Sequence, residues 1–419
     1  MQEKSKPVDN LRADAEKIIT RAIAAVLPDA AVERALKGKT FLGRMYLVAA
    51  GKAAWQMAHA ARACLQDNFC GGVVVTKYGH VKGEIANVAC FEGGHPVPDE
   101  NSLRGTDAAL ALTEDLTESD TVVFLLSGGG SALFEKPLLP LAELQDVTNQ
   151  LLAAGADIVE INTIRKRLSA VKGGRFARHC APAQVFAVVL SDILGDPLDM
   201  IASGPAYPDS SSCAQALDIA KRYGLRLSER AWALLAQETP KTLENVETQI
   251  TGSVREFCAA AAAACEALGY EPMILTDCLC CEAREAGSML ASIARTHAHD
   301  GKNLAFLMGG ETVVHLRGKG LGGRNQEIAL SAALGIEGLS NALVFSVGSD
   351  GTDGPTDAAG GIADGETAQL MRQKGVDAVK SLNDNDACHA LGAVGGLLKT
   401  GATGTNVNDV TVLLLRTSE

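Results

Sequence analysis

The sequence predicts an α/β protein of two domains with largely parallel sheets. Short continuous apolar runs alternate with segments of helical spacing along most of the chain, the pattern of buried parallel strands and crossover helices. At 419 residues the chain exceeds what one core ordinarily holds. Its 43 glycines and 4% aromatic content suit a fold with many tight strand-to-helix turns.

Leu11, Ile18, Ile19, Ala22, Ile23 and Val26 recur at helical spacing until Pro28 interrupts them. Met45–Ala50 then reads as a strand, followed by a helix from Gly51 to Gln66. Gly72–Thr76 and Val88–Phe91 are strands, and a helix covers Ser102 to Leu116. Thr121–Leu126 is a buried-type strand that ends in a glycine-rich turn, and Pro140 opens the next helix. Val185–Leu190 is a strand closing on Ser191-Asp192. The stretch from Ser210 to Glu247 reads as helical, then polar, which sets the boundary within Gln237–Gln249 and the domains at 1–240 and 241–419. The second domain predicts helices at Val254–Leu268, Glu282–His297 and Arg324–Leu334. Its strands are Pro272–Thr276, Leu304–Met308, Thr312–Leu316, Leu343–Val347 and Val410–Leu415. The second and third of these are close enough to pair as a hairpin, and the last is able to pack back on the first domain.

A composition of 47% hydrophobic and 21% charged residues excludes a disordered chain. The net charge of -12, without a basic run interleaved with aromatics, argues against nucleic acid as a partner. Eleven cysteines lie in apolar stretches, as at Cys64, Cys258 and Cys265, and read as reduced core residues. Cys278 and Cys281 form one C-x-x-C, but a structural zinc site needs a second pair. Met1 to Ala13 is polar, and no run reaches the roughly 18 apolar residues of a membrane span. The expectation is a cytoplasmic protein with no membrane partner.

Ligands of such folds bind beyond the carboxyl ends of strands, and four polar features fall there. Gly51-Lys52 follows the first strand. A lysine in a first helical turn opposes the macrodipole, which a bound anion would relieve; the alternative is a side chain reaching solvent. Ser127-Gly128-Gly129-Gly130-Ser131 offers converging N–H groups and two hydroxyls, an anion nest rather than a plain turn. Gly318, Gly320 and Gly323 satisfy G-x-G-x-x-G in outline, the dinucleotide fingerprint, with Lys319 and Arg324 adding two cations. Asp192, Asp196, Asp350, Asp353 and Asp357 are ordinary turn residues by type. Asp192 and Asp350 follow strands, however, and with Glu311 they are candidate Mg²⁺ ligands. Arg165 and Lys172 are candidates to clamp a substrate carboxylate. His95 reads as a structural loop histidine, and Asn383-Asp384-Asn385-Asp386 as a helix cap.

Seven colinear segments carry a resemblance over about Asp14 to Leu415. They are Ala49–Ala54, Gly93–Asp99, Leu126–Leu133, Asn162–Lys166, Ser191–Pro197, Gly322–Glu327 and Ser349–Gly354. The chain resembles the class II glycerate kinases, the glycerate 2-kinase family with a MOFRL domain in its C-terminal part. The resemblance implies a Rossmann-like three-layer αβα domain with a largely parallel sheet, a second α/β (MOFRL) domain, and an active site in the cleft between them. It implies phosphorylation of D-glycerate to 2-phosphoglycerate with ATP and Mg²⁺, in a monomer or homodimer. Lys52 and Arg324 correspond to the family's active-site lysine and arginine. On this reading Ser127–Ser131 holds nucleotide phosphates, and Asp192 orients or deprotonates the 2-hydroxyl or holds the metal. Arg165, Lys172 and Asn325 contact glycerate. Two rivals remain, an NAD(P)H-dependent hydroxypyruvate reductase, which the G-x-G-x-x-G match would serve, and a non-catalytic nucleotide sensor.

Overall fold

The computed structural model describes residues 7–41, 43–65, 68–195 and 197–417. They form two compact units. The first is drawn from residues 31–191 and 196–251, the second from 1–30, 192–195 and 252–419.

The first unit is built on a six-stranded sheet of order β3-β2-β1-β4-β5-β6. Its strands are β1 (Met45–Ala50), β2 (Phe69–Lys77), β3 (Val88–Gly93), β4 (Thr121–Leu126), β5 (Gln184–Leu190) and β6 (Val246–Gly252). From β3 to β5 every pairing is parallel. Side chains alternate across the sheet. Val123 and Leu125 of β4 share one core with Leu47, Val74, Val188 and the helix Ala54–Cys64. Phe124 points to the opposite face and meets the rings of Phe134 and Phe176, with centroids 5.5 and 4.7 Å away. On that face the helix Glu100–Leu112 comes in at Gly105, where a Cβ would lie 2.8 Å from Val75. Helices therefore cover both faces, giving three αβα layers. The helices Leu141–Ala153, Ile158–Arg167, Cys213–Arg222 and Glu229–Leu235 close around a separate core that includes Leu144, Leu151, Ile164 and Ile219.

The second unit also has six strands, in the order β11-β10-β9-β12-β8-β7. They are β7 (Glu271–Leu279), β8 (Leu304–Gly310), β9 (Ala342–Gly348), β10 (Gly360–Asp364), β11 (Leu397–Leu398) and β12 (Asp409–Leu415). Leu307, Phe345 and Val412 face the helices Pro7–Ala25 and Val254–Glu266. Phe306, Val344 and Leu413 face Ala283–His297 and Arg324–Gly335.

Several expectations are corrected here. The second sheet is mixed: only β7–β8 is parallel, whereas β12 runs antiparallel to both β8 and β9. The last strand fills the middle of the second sheet, between β9 and β8. The division falls after residue 251, not at 240, because the polar stretch 237–249 leads into β6, an edge strand of the first sheet. The first helix joins the second unit, where Asp14 accepts hydrogen bonds from the Tyr270 hydroxyl and from Arg416, both at 2.9 Å. Thr312–Leu316 is not a strand. Both neighbours of β8 are already taken, by β7 and β12, so no edge is open to a hairpin partner. The segment instead follows the end of β7, with the Val313 N–H donating to the Cys281 carbonyl at 3.1 Å, and Val313 and Leu316 are exposed.

Candidate functional site

In the first unit, Ala50 and Leu126 are paired in register at the carboxyl ends of β1 and β4. The two loops that follow, 51–53 and 127–131, therefore leave the sheet side by side. Gly51 sits at φ +127°, and a Cβ there would come 2.2 Å from the Ser127 Oγ. The Lys52 N–H donates to the Gly128 carbonyl at 2.9 Å, and the Ala53 N–H donates to the Ser127 Oγ at 3.1 Å. These bonds hold residues 51–53 as a turn, so the helix starts at Ala54 and not at Gly51. Lys52 thus stands just ahead of the helix, its carbonyl 2.8 Å from the Nδ1 of His80.

The glycine loop leaves donors unspent. Among the described residues, the N–H groups of Gly128, Gly129 and Ser131 reach no backbone acceptor. Gly129 has φ +85°, and a Cβ on it would lie 3.1 Å from the His95 Nε2 and 3.2 Å from the Lys52 Cε. Glycine keeps this space open between an imidazole and a lysine stem. Such a concavity of backbone N–H groups beside a cation suits an anion.

The loop is held from below. The hydroxyl of Ser131 lies 2.9 Å from that of Ser203, which donates to the Asn162 Oδ1 at 3.0 Å. Ala202 and Ser203 have φ of +51° and +61°, a conformation that costs non-glycine residues about 1–3 kcal/mol each. Packing enforces it. A Cβ on Gly130 would come 2.7 Å from the Ala202 Cβ, and the Gly173 N–H donates to the Ser203 carbonyl at 3.0 Å. Arg165 and Lys172, expected to meet a substrate carboxylate, both donate to the Ser131 carbonyl, at 2.9 and 2.8 Å. Lys172 is 0% exposed, and its remaining partners are the Phe134 carbonyl at 2.9 Å and Glu135 at 3.3 Å. Two of its donors thus go to backbone carbonyls, and its charge is paired with Glu135 within the protein. Burial pushes its pKa down to about 8, against the pull of the Glu135 charge.

In the second unit Arg324 opens its helix, and carboxylates answer its charge. Its Nε and Nη2 donate to the two oxygens of Asp409, at 2.5 and 3.1 Å, and its Nη1 donates to Glu311 at 3.0 Å. Burial pushes the Asp409 carboxyl up to about 6, against the attraction of Arg324. The N–H groups of Asn325 and Gln326 donate to the two carboxylate oxygens of Asp353, at 3.1 and 2.9 Å. Asp353 thus caps the positive end of the helix. Asn325, expected to touch substrate, is buried, and its side-chain oxygen accepts from the Ser346 hydroxyl at 2.5 Å.

The G-x-G-x-x-G loop is likewise spoken for over its first four N–H groups, those of residues 318–321. Asn385 accepts the N–H groups of Arg317 and Gly318, Asp384 that of Lys319, and Asp386 that of Leu321. The glycines allow this approach: a Cβ on Gly318 or Gly320 would collide with Asp384 or Asp386 at 2.2 and 2.4 Å. Asp386 precedes the helix Ala387–Ala393 but makes no side-chain cap bond to it, so the expected cap serves the glycine loop instead.

Asp192 belongs with the second unit, as do Asp350 and Glu311. Asp350 accepts the N–H and hydroxyl of Thr352, both at 2.9 Å, and Asp196 lies outside the described residues. Among the described residues no three His, Cys, Asp or Glu side chains gather as a metal cage. Single carboxylates still fit Mg²⁺, which commonly takes one or two of them together with substrate phosphates and water. Asp353, Asp409, Ser203 and Asn162 were not singled out as site residues from the sequence. The D-x-x-D-G spacing after Asp350 hinted at Asp353, Asn162 opens the segment Asn162–Lys166 of the resemblance, and nothing local marks Asp409 or Ser203.

Residues 14–236 match the model of a domain of unknown function, DUF4147, and residues 304–409 match the MOFRL family. A "D-glycerate 2-kinase" from Thermotoga maritima is 51% identical over 413 residues, 97% of this chain and 99% of its own length. A crystal structure of glycerate kinase from Thermotoga maritima superposes with a TM-score of 0.94 at 51% identity, covering 97% of this chain and 100% of that one. A relative from Agrobacterium vitis, 40% identical over 95% of this chain and 93% of its own length, carries the name of a hydroxypyruvate reductase. Two α/β units, the matched domain models and full-length identity to named kinases agree: this chain belongs to the glycerate 2-kinase family, with a MOFRL domain in its second half.

Proposed function

We propose that this protein transfers the γ-phosphoryl group of ATP to the 2-hydroxyl of D-glycerate, giving 2-phosphoglycerate and ADP. The observation that carries the site assignment is the cradle at Gly129, where the N–H groups of Gly128, Gly129 and Ser131 reach no backbone acceptor and Lys52 lies close by. Nucleotide phosphates sit in this cradle, and Lys52 neutralises charge on the phosphoryl as it moves. Phosphoryl transfer asks mainly for positioning and charge neutralisation, so a nest and a lysine supply much of what is needed. Arg165 and Lys172 serve the reaction by fixing the Ser131 carbonyl rather than by touching glycerate. Arg324, oriented by Asp409, contributes a second cation to the phosphoryl, and Asn325 and Asp353 keep its helix start in place. Asp192 or Asp350, with Glu311 as a further ligand, would hold Mg²⁺, which would supply neutralisation of phosphate charge. The protein works in the cytoplasm, as a monomer or homodimer.

The reductase reading needs a seat for a dinucleotide diphosphate. Its fingerprint loop instead has N–H groups bonded to Asp384, Asn385 and Asp386. The test is a coupled assay with ATP, Mg²⁺ and D-glycerate, using enolase as the first coupling enzyme. Signal without added phosphoglycerate mutase supports the reading and its regiochemistry. ADP without signal points to the 3-product. No ADP, together with NAD(P)H oxidation by hydroxypyruvate, overturns the reading in favour of the reductase; nucleotide binding with neither turnover leaves the sensor.

A further inference from the structure

Resting on the kinase reading above, we propose that His95 is the catalytic base that takes the proton of the acceptor hydroxyl. The loop Gly93–Asp99 brings its ring to the open face of Gly129, with the Cδ2 and Nε2 at 3.0 and 3.1 Å from the position a Cβ would fill. Lys52 approaches the same point at 3.2 Å. An imidazole edge and an ammonium stem thus border one cradle of unspent N–H groups. Among the described residues, neither ring nitrogen of His95 has a hydrogen-bond partner. A neutral imidazole keeps one nitrogen as an acceptor, which is what a base requires. In the step, the glycerate 2-oxygen bonds to the γ-phosphorus. The bond from that phosphorus to the β,γ-bridging oxygen breaks, and its electron pair leaves on ADP. The hydroxyl proton ends on His95, which later releases it to water.

The surroundings keep the ring neutral. Burial disfavours the imidazolium first. Lys52 from the turn after β1, Lys77 at the end of β2, and His80 beyond it add like charge, so the pKa lies below the ordinary value of about 6.5. Among the described residues, Asp99 of the same loop makes no hydrogen bond or ion pair with the ring. Its carboxylate accepts from the Ser102 N–H at 2.9 Å and from the Tyr78 hydroxyl at 2.7 Å.

The experiment is the pH dependence of kcat, from about pH 5 to 9, for the unmodified protein, His95→Gln and His95→Ala, with ATP affinity and thermal unfolding measured alongside. An unmodified protein that makes no 2-phosphoglycerate overturns the kinase reading itself, apart from any role of His95. Given activity, kcat is expected to fall as pH drops through a midpoint below about 6.5. His95→Gln is expected to lose about a hundredfold in kcat and to lose that acid limb, with ATP affinity little changed. Added imidazole is expected to restore part of the turnover of His95→Ala. A folded His95→Gln within about twofold of normal kcat, or one that keeps the acid limb, overturns the proposal. If neither variant folds, the unmodified profile decides, since a kcat that stays flat down to about pH 5 overturns it as well.

Discussion

Two glycine-rich loops, one in each unit, look alike in sequence and have opposite fates. Each follows a strand or apolar run and precedes a helix. The loop at 127–131 keeps three N–H groups without a backbone acceptor, and Lys52 and His95 border it. In the loop at 318–323 the N–H groups of residues 318–321 are bonded by Asp384, Asn385 and Asp386, those of Gly322 and Gly323 reach no acceptor among the described residues, and the helix after it is capped by Asp353. Glycine permits close approach in both. What approaches decides the outcome: carboxylates close the second loop, while a lysine and a neutral imidazole leave the first open to an anion. A pattern of glycines therefore identifies backbone freedom, and the donors left over identify a phosphate site.

Substitution at the open loop should strike turnover, and at the closed one stability. The largest effect is expected for Lys52→Ala, a fall in kcat of about a thousandfold or more with unfolding temperature unchanged, read by steady-state kinetics and calorimetry. Near-normal turnover would remove Lys52 from the chemistry. Arg324→Ala should lower kcat/KM by about a hundredfold or more. Because Asp409 and Glu311 then lose their counter-charge, this variant should also lose stability, unlike Lys52→Ala. Gly129→Ala places a methyl against His95 and Lys52 at a positive φ, and is expected to raise the KM for ATP at least about tenfold. Gly320→Ala is its counterpart. The methyl meets Asp386, so about 1–3 kcal/mol of stability should be lost, with little change in kcat per folded molecule. If Gly320→Ala instead abolished ATP binding while unfolding normally, the contrast between the loops would be wrong. The smallest effect is expected for Ser203→Ala. It cuts the bond to the Ser131 hydroxyl and should raise the KM for ATP a few-fold, roughly the 0.5–1.5 kcal/mol of one hydrogen bond.

Much of the scaffold was legible because it follows from local pattern. Thr121–Leu126 is a strand at the same residues in sequence and structure, since six consecutive buried positions have no other short solution. Lys52 and the glycine nest were legible because strand ends in α/β sheets mark sites. Elements that depend on distant partners were not. Thr312–Leu316 has strand composition, but both neighbours of β8 were already taken by β7 and β12. The strand Gly360–Asp364 has two glycines and no apolar run, yet buries every position because β9 and β11 flank it. Ser203 and Asp409 act on Ser131 and Arg324 across 72 and 85 residues of chain, a separation no local window spans.

The helix Pro7–Ala25 has a consequence for biosynthesis. It leaves the ribosome well before its partners, since its core is made by Phe257, Phe345 and Val412, and its polar anchors include Tyr270, Asp364 and Arg416. At roughly 5–20 residues per second, the wait between the helix and even the earliest of these partners is on the order of 10–50 s. Throughout it, the apolar stripe of Leu11, Ile18 and Ala22 has no native surface to cover it. The first unit can close its own sheet during that interval. This helix has to be sheltered until β12 emerges, so a nascent chain stalled before β12 would present its sticky apolar stripe to chaperones and proteases.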